Sequence, residues 1–348
     1  MARIRTYQSP AHDRVRAHLA DLITCGIPFA RRGAMRGFFM PGPEALELPH
    51  LAAVGIAGQQ LTGVEWLSMH ASYIREKGYP FMLHACSLED YVLRHASDAP
   101  FDFILLDFDG GFYRFANDIV GCYRLLAAPS THCATFSTTY HFSRDQLPLV
   151  RAASLGYGML SQLIGKEEAL RAHDVIVAEL RRIPVGESDI ERMHRALREL
   201  SLFTLYVEGL VRSASTSGAA ACAAAWNDAV VAMWRALKDQ PLRAYHQRLP
   251  FPPIPEVPAF HAAVARCALP RWPEAWFRCA FTSPPSVRMQ TLAMQVQRAS
   301  AESLARPLGE VVRAALRDFL MTPLHIFDLQ GHLPIPVTCA LCAAQIAA

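Results

Sequence analysis

Gly42, Glu65, Ser87 and Asp107 are the residues of this sequence whose types and spacing offer chemistry, because each closes one of four short apolar runs at 38–44, 61–66, 81–87 and 101–111. A lone glycine lets a ligand come close to the backbone. A glutamate 23 positions further on can accept both hydroxyls of an adenosine ribose. Gly42 and Glu65 together therefore point to nucleoside binding. Asp107 and Asp109 flank Phe108 just before Gly110 and Gly111. A carboxylate there can orient a substrate amine or hydroxyl, or bind a metal, and Phe108 can stack on a planar group; the same acids also suit a helix cap. Ser87 can meet an adenine edge or cap the next helix, with Asp90 as the matching acid.

Such residues need a frame that brings them together. The four runs start about twenty residues apart with a helix-like stretch in each gap, the beat of repeated βαβ units and a parallel sheet. In an open doubly wound sheet, ligands sit at the carboxyl ends of the strands, where these four residues fall. A fifth strand is expected over 131–137. Ahead of the sheet, Ser9 and Pro10 open a helix carrying Val15, Leu19, Leu22 and Ile23, and Gly26 stops it. Helices are expected over 44–54, 67–76, 88–95 and 115–126.

After Phe142 the strand pattern gives way to helical stripes, such as Ile190, Met193, Leu197 and Leu200. The proline-rich stretch 249–258 is an extended connector. Segments 274–283 and 288–297 resemble two strands around a Pro284-Pro285 turn, an antiparallel edge that completes a seven-stranded mixed sheet. The expected organisation is an N-terminal helical segment (1–36), a sheet core (37–142 and 272–298), a helical insertion (143–258) and a C-terminal helix and tail (299–348).

With 348 residues, 52% of them hydrophobic, the chain can bury a sizeable core. A net charge of +3 is too small for a dedicated nucleic-acid binder, although Arg3, Arg5, Arg14, Arg16, Arg31, Arg32 and Arg36 cluster near the start; they could touch phosphate, but a solvated amphipathic helix with a basic connector is the preferred reading. Nine cysteines, mostly single among apolar neighbours, imply a reducing compartment. No signal-peptide core follows the first charged residues and no apolar stretch reaches the roughly 18 residues of a spanning helix, so a cytoplasmic protein with no membrane contact is expected.

The order and spacing of these elements resemble the class I S-adenosylmethionine-dependent methyltransferases over roughly residues 36–140 and 272–298. That resemblance implies a Rossmann-like, doubly wound, mostly parallel seven-stranded α/β sheet with a large helical insertion, and S-adenosylmethionine as cofactor. It assigns the methionine part to the turn after strand one, with Pro41, Gly42 and Glu44, and the ribose to Glu65 beside Trp66. Adenine falls to Cys86 and Ser87, and substrate positioning or catalysis to Asp107 and Asp109. The family's acid-x-Gly-x-Gly first motif is replaced here by the divergent sequence 39–44, with Gly42 its one glycine.

Other motifs are thin. Thr282-Ser283-Pro284-Pro285-Ser286 reads as a hairpin turn, since it lacks the aromatic that stacks on a flipped base. Cys339 and Cys342 with His325 and His332 are a weak zinc pattern, and tail packing is the preferred reading. Gly165-Lys166-Glu167 lacks the spacing and hydroxyl of a phosphate loop. Three readings of function stay open: methyl transfer to an unidentified acceptor, nucleic acid among the candidates; a catalytically inactive Rossmann-like binding module for nucleic acid or a protein; and a nicotinamide or flavin oxidoreductase, which shares the ribose logic but lacks the triple-glycine turn for a pyrophosphate. The sequence names neither the acceptor nor the oligomeric state.

Overall fold

A computed structural model describes residues 9–95, 100–108, 110, 112–129, 131–141, 148–181, 188–214, 216–238, 256–283, 287–322 and 324–327. The chain divides into two compact units: Met1–Arg144 with Pro273–Arg298 and Thr322–Ala348, and Asp145–Trp272 with Ala299–Met321.

The first unit carries the sheet. Its elements run α1 (Pro10–Thr24), α2 (Phe29–Arg32), β1 (Gly37–Phe39), α3 (Leu48–Ala53), β2 (Leu61–Val64), α4 (Ser68–Lys77), β3 (Met82–His84), α5 (Leu88–His95), β4 (Phe103–Asp107), α6 (Ala116–Cys122) and β5 (Ala134–His141). β6 (Arg271–Ser283), β7 (Val287–Arg298) and β8 (Leu324–Phe327) complete it. The strand order is β3-β2-β1-β4-β5-β7-β6-β8. Strands β1 to β5 pair in parallel, β7 runs antiparallel to β5, with Ala134 opposite Val296 and His141 opposite Met289, and β8 is parallel to β6.

The expected mostly parallel α/β sheet is thus present, with eight strands instead of seven. The extra strand comes from the tail, where Leu324 to Phe327 pair with Arg278 to Phe281. Four residues with one alternation are too short to show period-2 patterning. The helix expected over 115–126 is broken: α6 is preceded by a 3-10 turn at Phe112–Phe115 and followed by another at Tyr123–Leu125, where the last turn tightens to i,i+3 bonding.

β1 has no outward face. Phe39 packs toward α1 and α3 with Val15, Leu19, Leu51 and Phe281, whereas Phe38 lies against Tyr91 and Phe101 with ring centroids 5.0 and 5.5 Å away. Coverage on both faces is what a parallel sheet requires. Only glycine suits position 37, because a Cβ there would run into the Phe103 ring and the Leu61 side chain. α1 is capped as its sequence predicts: the Ser9 hydroxyl accepts the His12 N–H at 3.1 Å and Pro10 takes the first turn. At the other end of α1, the Gln295 side-chain amide on β7 donates to the Leu22 carbonyl at 2.8 Å, so the sheet closes the helix.

The second unit is helical among its described residues, with α7 (Pro148–Ile164), α8 (Lys166–Arg181), α9 (Asp189–Arg212), α10 (Ser217–Lys238) and the helices Pro258–Val264, Ala301–Leu304 and Leu308–Met321. α9 opens with a capping box in which Ser188 and Glu191 satisfy each other's backbone N–H groups. Leu308–Met321 belongs to this unit: Arg313 bonds Glu168 at 2.9 Å, and the Phe319 and Phe203 rings lie 5.3 Å apart.

Candidate functional site

Strand order reverses between β1 and β4, because the chain builds β1, β2 and β3 outward on one side and returns to lay β4 on the other. Diverging connections open a crevice at the carboxyl ends of this pair. A cavity of about 650 Å³ lies there, within the range of small-molecule sites. Pro41, Gly42 and Glu44 line it from the turn after β1, Glu65 and Trp66 from the end of β2, Cys86 and Ser87 from beyond β3, and Asp107 from the end of β4. The structure brings all of these candidate residues together; Asp109 lies outside the described residues.

The turn after β1 differs from a glycine-rich cradle running straight into a helix. Met40 N–H still donates to Leu105 of β4 at 3.1 Å, and Gly42 then adopts φ +53°. A Cβ at Gly42 would meet nothing within 4 Å, so the glycine faces open space. Ala45, buried in the same turn, also has a positive φ, +45°, which stores strain there. The Tyr79 hydroxyl pins the turn through the Glu44 carbonyl at 3.1 Å. α3 starts only at Leu48, four residues later than a helix opened by Glu44.

Glu65 continues the β2 ladder, its N–H donating to the His84 carbonyl at 3.1 Å. Its side chain is nearly buried yet oriented: Oε1 accepts the Leu67 N–H at 2.8 Å, and Oε2 lies 3.5 Å from His70 Nδ1. Two further lone pairs of that carboxylate stay available to a ligand diol. Trp66 is 66% exposed, an indole with an uncovered face beside the carboxylate. Ser87 Oγ accepts the Asp90 N–H at 3.0 Å and so caps α5, which leaves its proton to donate. Burial pushes the Cys86 thiol above its usual range against the pull of Arg94, so it stands there as a neutral donor. Phe108, read from sequence as a stacking platform, is buried with one face on Phe115, 4.3 Å away and 10° from parallel.

α1 supplies groups that the strand-end reasoning missed. His12 and Arg16 point into the cavity beside Asp107 and Glu47. His12 Nε2 lies 3.7 Å from Asp107 Oδ2. Arg16 donates from Nε to Glu47 Oε1 and from Nη1 to Asp13 Oδ1, each at 3.1 Å. Burial works against the Arg16 cation, but Glu47, Asp107 and Asp13 outweigh it and raise its pKa. Burial also pushes the Glu47 carboxyl up, against Arg16, and Asp107 adds to the rise. Glu47 Oε2 is buried without a hydrogen-bond partner, an acceptor ready for a ligand N–H.

No protein-family profile matches this chain, and neither does any curated protein sequence. Solved structures do resemble it. They include cofactor-bound Rv0187 from MTB (18% identity, TM-score 0.29, 40% of this chain and 58% of that one). SAM-bound CalS10, an amino pentose methyltransferase from Micromonospora echinaspora, aligns at 17% identity and TM-score 0.29 over 40% of this chain and 55% of its own. The O-methyltransferase from Bacillus cereus, solved with SAH, aligns over 84% of both chains at 9% identity and TM-score 0.37. The chain spans little more than half the length of the first two. Likeness at this level assigns no residue a role.

The missed residues had a signal. His12 and Arg16 sit at i and i+4 inside the apolar stripe of Val15, Leu19 and Ile23, so the 3.6-residue period already turned them inward. Reading the arginines as a solvated basic face overlooked that phase; Arg16 is 7% exposed. Among the described residues no group of three or more His, Cys, Asp and Glu side chains is placed to hold a metal ion. Cys339, Cys342 and His332 lie outside the described residues, as does the 284–286 turn. No described helix is long and apolar enough to cross a membrane.

Proposed function

We propose that the chain binds S-adenosylmethionine in the cavity above β1 and β4 and transfers its methyl group to an acceptor held at Asp107. The observation that carries this reading is the meeting of Gly42, Glu65, Trp66, Ser87 and Asp107 in one cavity at the point where strand order reverses. The residues present fit such a cofactor. Glu65 can accept the ribose hydroxyls, Trp66 offers a face to adenine, and Cys86 and Ser87 offer donors to its edge. Arg16 can meet a carboxylate and Glu47 an ammonium, which suits an amino-acid end beside Gly42.

The lining also complements a cation. Glu44, Glu47, Glu65, Glu89, Asp107 and Asp118 face the cavity against the guanidiniums of Arg16 and Arg114. When bound, the cofactor supplies an activated methyl group on a sulfonium. The protein's part is to hold acceptor and methyl in line and to exclude water. Asp107, at the last position of β4, is placed to orient the acceptor.

The alternative, an inactive module for nucleic acid or a protein, draws on the missing glycines of the first turn. Three arginines of its basic start are engaged within the unit, however, while Arg14 and Arg31 are exposed. Arg16 pairs with Glu47 and Asp13, Arg32 donates to the Ile27 and Val54 carbonyls, and the Arg36 guanidinium donates to the Pro100 carbonyl at 3.4 Å and lies over the Phe101 ring. Isothermal titration with S-adenosylmethionine and S-adenosylhomocysteine tests the leading reading. One-site binding of both is expected, and no binding of either at two temperatures would discard it.

A further inference from the structure

The second unit holds two thiols against each other. Gly218, Cys222 and Trp226 follow at i, i+4 and i+8 along α10 and so share one face of that helix. The Phe260 ring stands edge-on to Trp226, with centroids 5.5 Å apart. The chain then leaves the helix Pro258–Val264 through a turn in which the Cys267 N–H donates to the Val264 carbonyl at 3.2 Å. This turn lies on Gly218, where a Cβ would run into the Arg266 carbonyl and stand 3.6 Å from the Cys267 Cα. Glycine is what lets the two backbones come so close. Helical side chains tilt toward the helix N-terminus, which carries the Cys222 sulfur back toward Cys267. The two thiols hydrogen-bond each other, and the residues are 0% and 2% exposed.

The pair is unequal. The hydrogen bond from Cys222 pulls the Cys267 thiol below its ordinary range against the effect of burial. Cys222, the donor and itself buried, is held far above its own range in spite of Arg212. Ala220, Ala221, Ala265 and Arg266, the chain neighbours of the two cysteines, are exposed or lie beside exposed residues, so the sulfurs sit one layer beneath the surface. A small neutral oxidant suits such a place better than a bulky charged disulfide does.

We propose that Cys222 and Cys267 form an oxidisable dithiol that reduces a small peroxide and closes to a disulfide. The Cys267 thiolate attacks one peroxide oxygen; the sulfur–oxygen bond forms, the oxygen–oxygen bond breaks, and the departing hydroxide takes up a proton to leave as water. Cys267 is then a sulfenic acid. The Cys222 sulfur attacks the Cys267 sulfur, the sulfur–oxygen bond breaks, and the hydroxide leaves as a second water with the Cys222 proton. Two thiols lose two electrons in all, and the peroxide gains them. The disulfide fastens α10 to the turn after the helix Pro258–Val264 and closes a loop of about 44 residues, which restricts the unfolded chain. Neither cysteine lines the cavity of the first unit, so the dithiol and the methyl-transfer reading stand or fall separately.

The full chain, reduced and freed of reductant, is treated with a few equivalents of hydrogen peroxide, blocked with N-ethylmaleimide in denaturant and digested with trypsin without reduction. Peptides 213–235 and 267–271 are expected joined, with the loss of two hydrogens, and separated again by a phosphine reductant. The oxidised chain should show an unfolding transition raised by about 5–10 °C over the reduced one in calorimetry. Cys222→Ala should leave a sulfenic acid on peptide 267–271, trapped by dimedone, and should abolish both the joined peptides and the shift. Peroxide consumed at other cysteines while these two peptides stay reduced, or a joined pair that forms only in denaturant, would overturn the proposal. An unchanged or lowered transition in the oxidised chain would refute the fastening. The peptide map of the wild-type chain decides the pairing even where a cysteine variant fails to fold.

Discussion

Arg16 on α1 and Glu47 ahead of α3 form an ion pair with Nε and Oε1 3.1 Å apart, and the arginine is almost wholly removed from solvent. Breaking a buried pair leaves a charge without compensation, which costs about 3 kcal/mol or more, whereas replacing both partners by apolar groups is often near neutral. Arg16→Met is therefore expected to lower unfolding free energy by about 3 kcal/mol, and the double variant with Glu47→Leu to recover most of it. Urea unfolding of the two variants checks the coupling, and equal losses in both would show that the pair adds nothing.

Glu65 reaches the cavity with a carboxylate already fixed by the Leu67 N–H. Removing it takes away charge-assisted acceptors for a ribose diol, each worth about 1.5–3 kcal/mol. Glu65→Ala is expected to weaken S-adenosylmethionine binding by roughly ten- to a hundredfold in calorimetry. Unchanged affinity would unseat the β2 residue as the ribose partner.

Gly42 and Gly78 make a matched pair of left-handed glycines, at φ +53° and +64°, and a Cβ would meet nothing within 4 Å at either. Gly78 ends α4 and is not part of the cavity wall; Gly42 is. Forcing alanine into this conformation costs about 1–2 kcal/mol at each site. Both Gly42→Ala and Gly78→Ala should lose that much stability by urea unfolding. Only Gly42→Ala should also lose ligand affinity, at least tenfold, because its methyl occupies ligand space.

The strand ends were legible because β1, β2 and β4 are short, apolar and closed by a residue of another kind, as with Val64 before Glu65 and Leu106 before Asp107. That these strands run parallel followed from the spacing of the runs. Two features were not legible, for different reasons. β8 is a strand only by virtue of its partner: Leu324 to Phe327 have no amphipathic pattern of their own, and β6 supplies the ladder. His12 and Arg16 were visible as residues of the inward stripe of α1, but their targets, Asp107 and Glu47, lie 95 and 31 positions away along the chain. No local pattern reports such a pairing. The delay of α3 to Leu48 has the same character, since the intervening turn is held by the Tyr79 hydroxyl from beyond α4.

β8 also brings a titratable group into the unit. His325 is buried against the Phe277 ring, 5.9 Å away, and burial, with His18 and Arg278 nearby, pulls its pKa from 6.5 down to about 4. The folded chain therefore holds His325 neutral where the unfolded chain would protonate it. Between pH 6.5 and 4 the unfolded state binds more protons, so stability present above pH 6.5 is lost as pH falls through that window. The loss due to this group is on the order of 2–3 kcal/mol by pH 4. His325→Phe keeps an aromatic ring against Phe277 and removes the proton site. Its unfolding free energy, measured by urea at pH 7 and pH 4.5, should fall less with acid than that of the wild-type chain. Parallel pH dependence in the two proteins would show that β8 does not bury this imidazole.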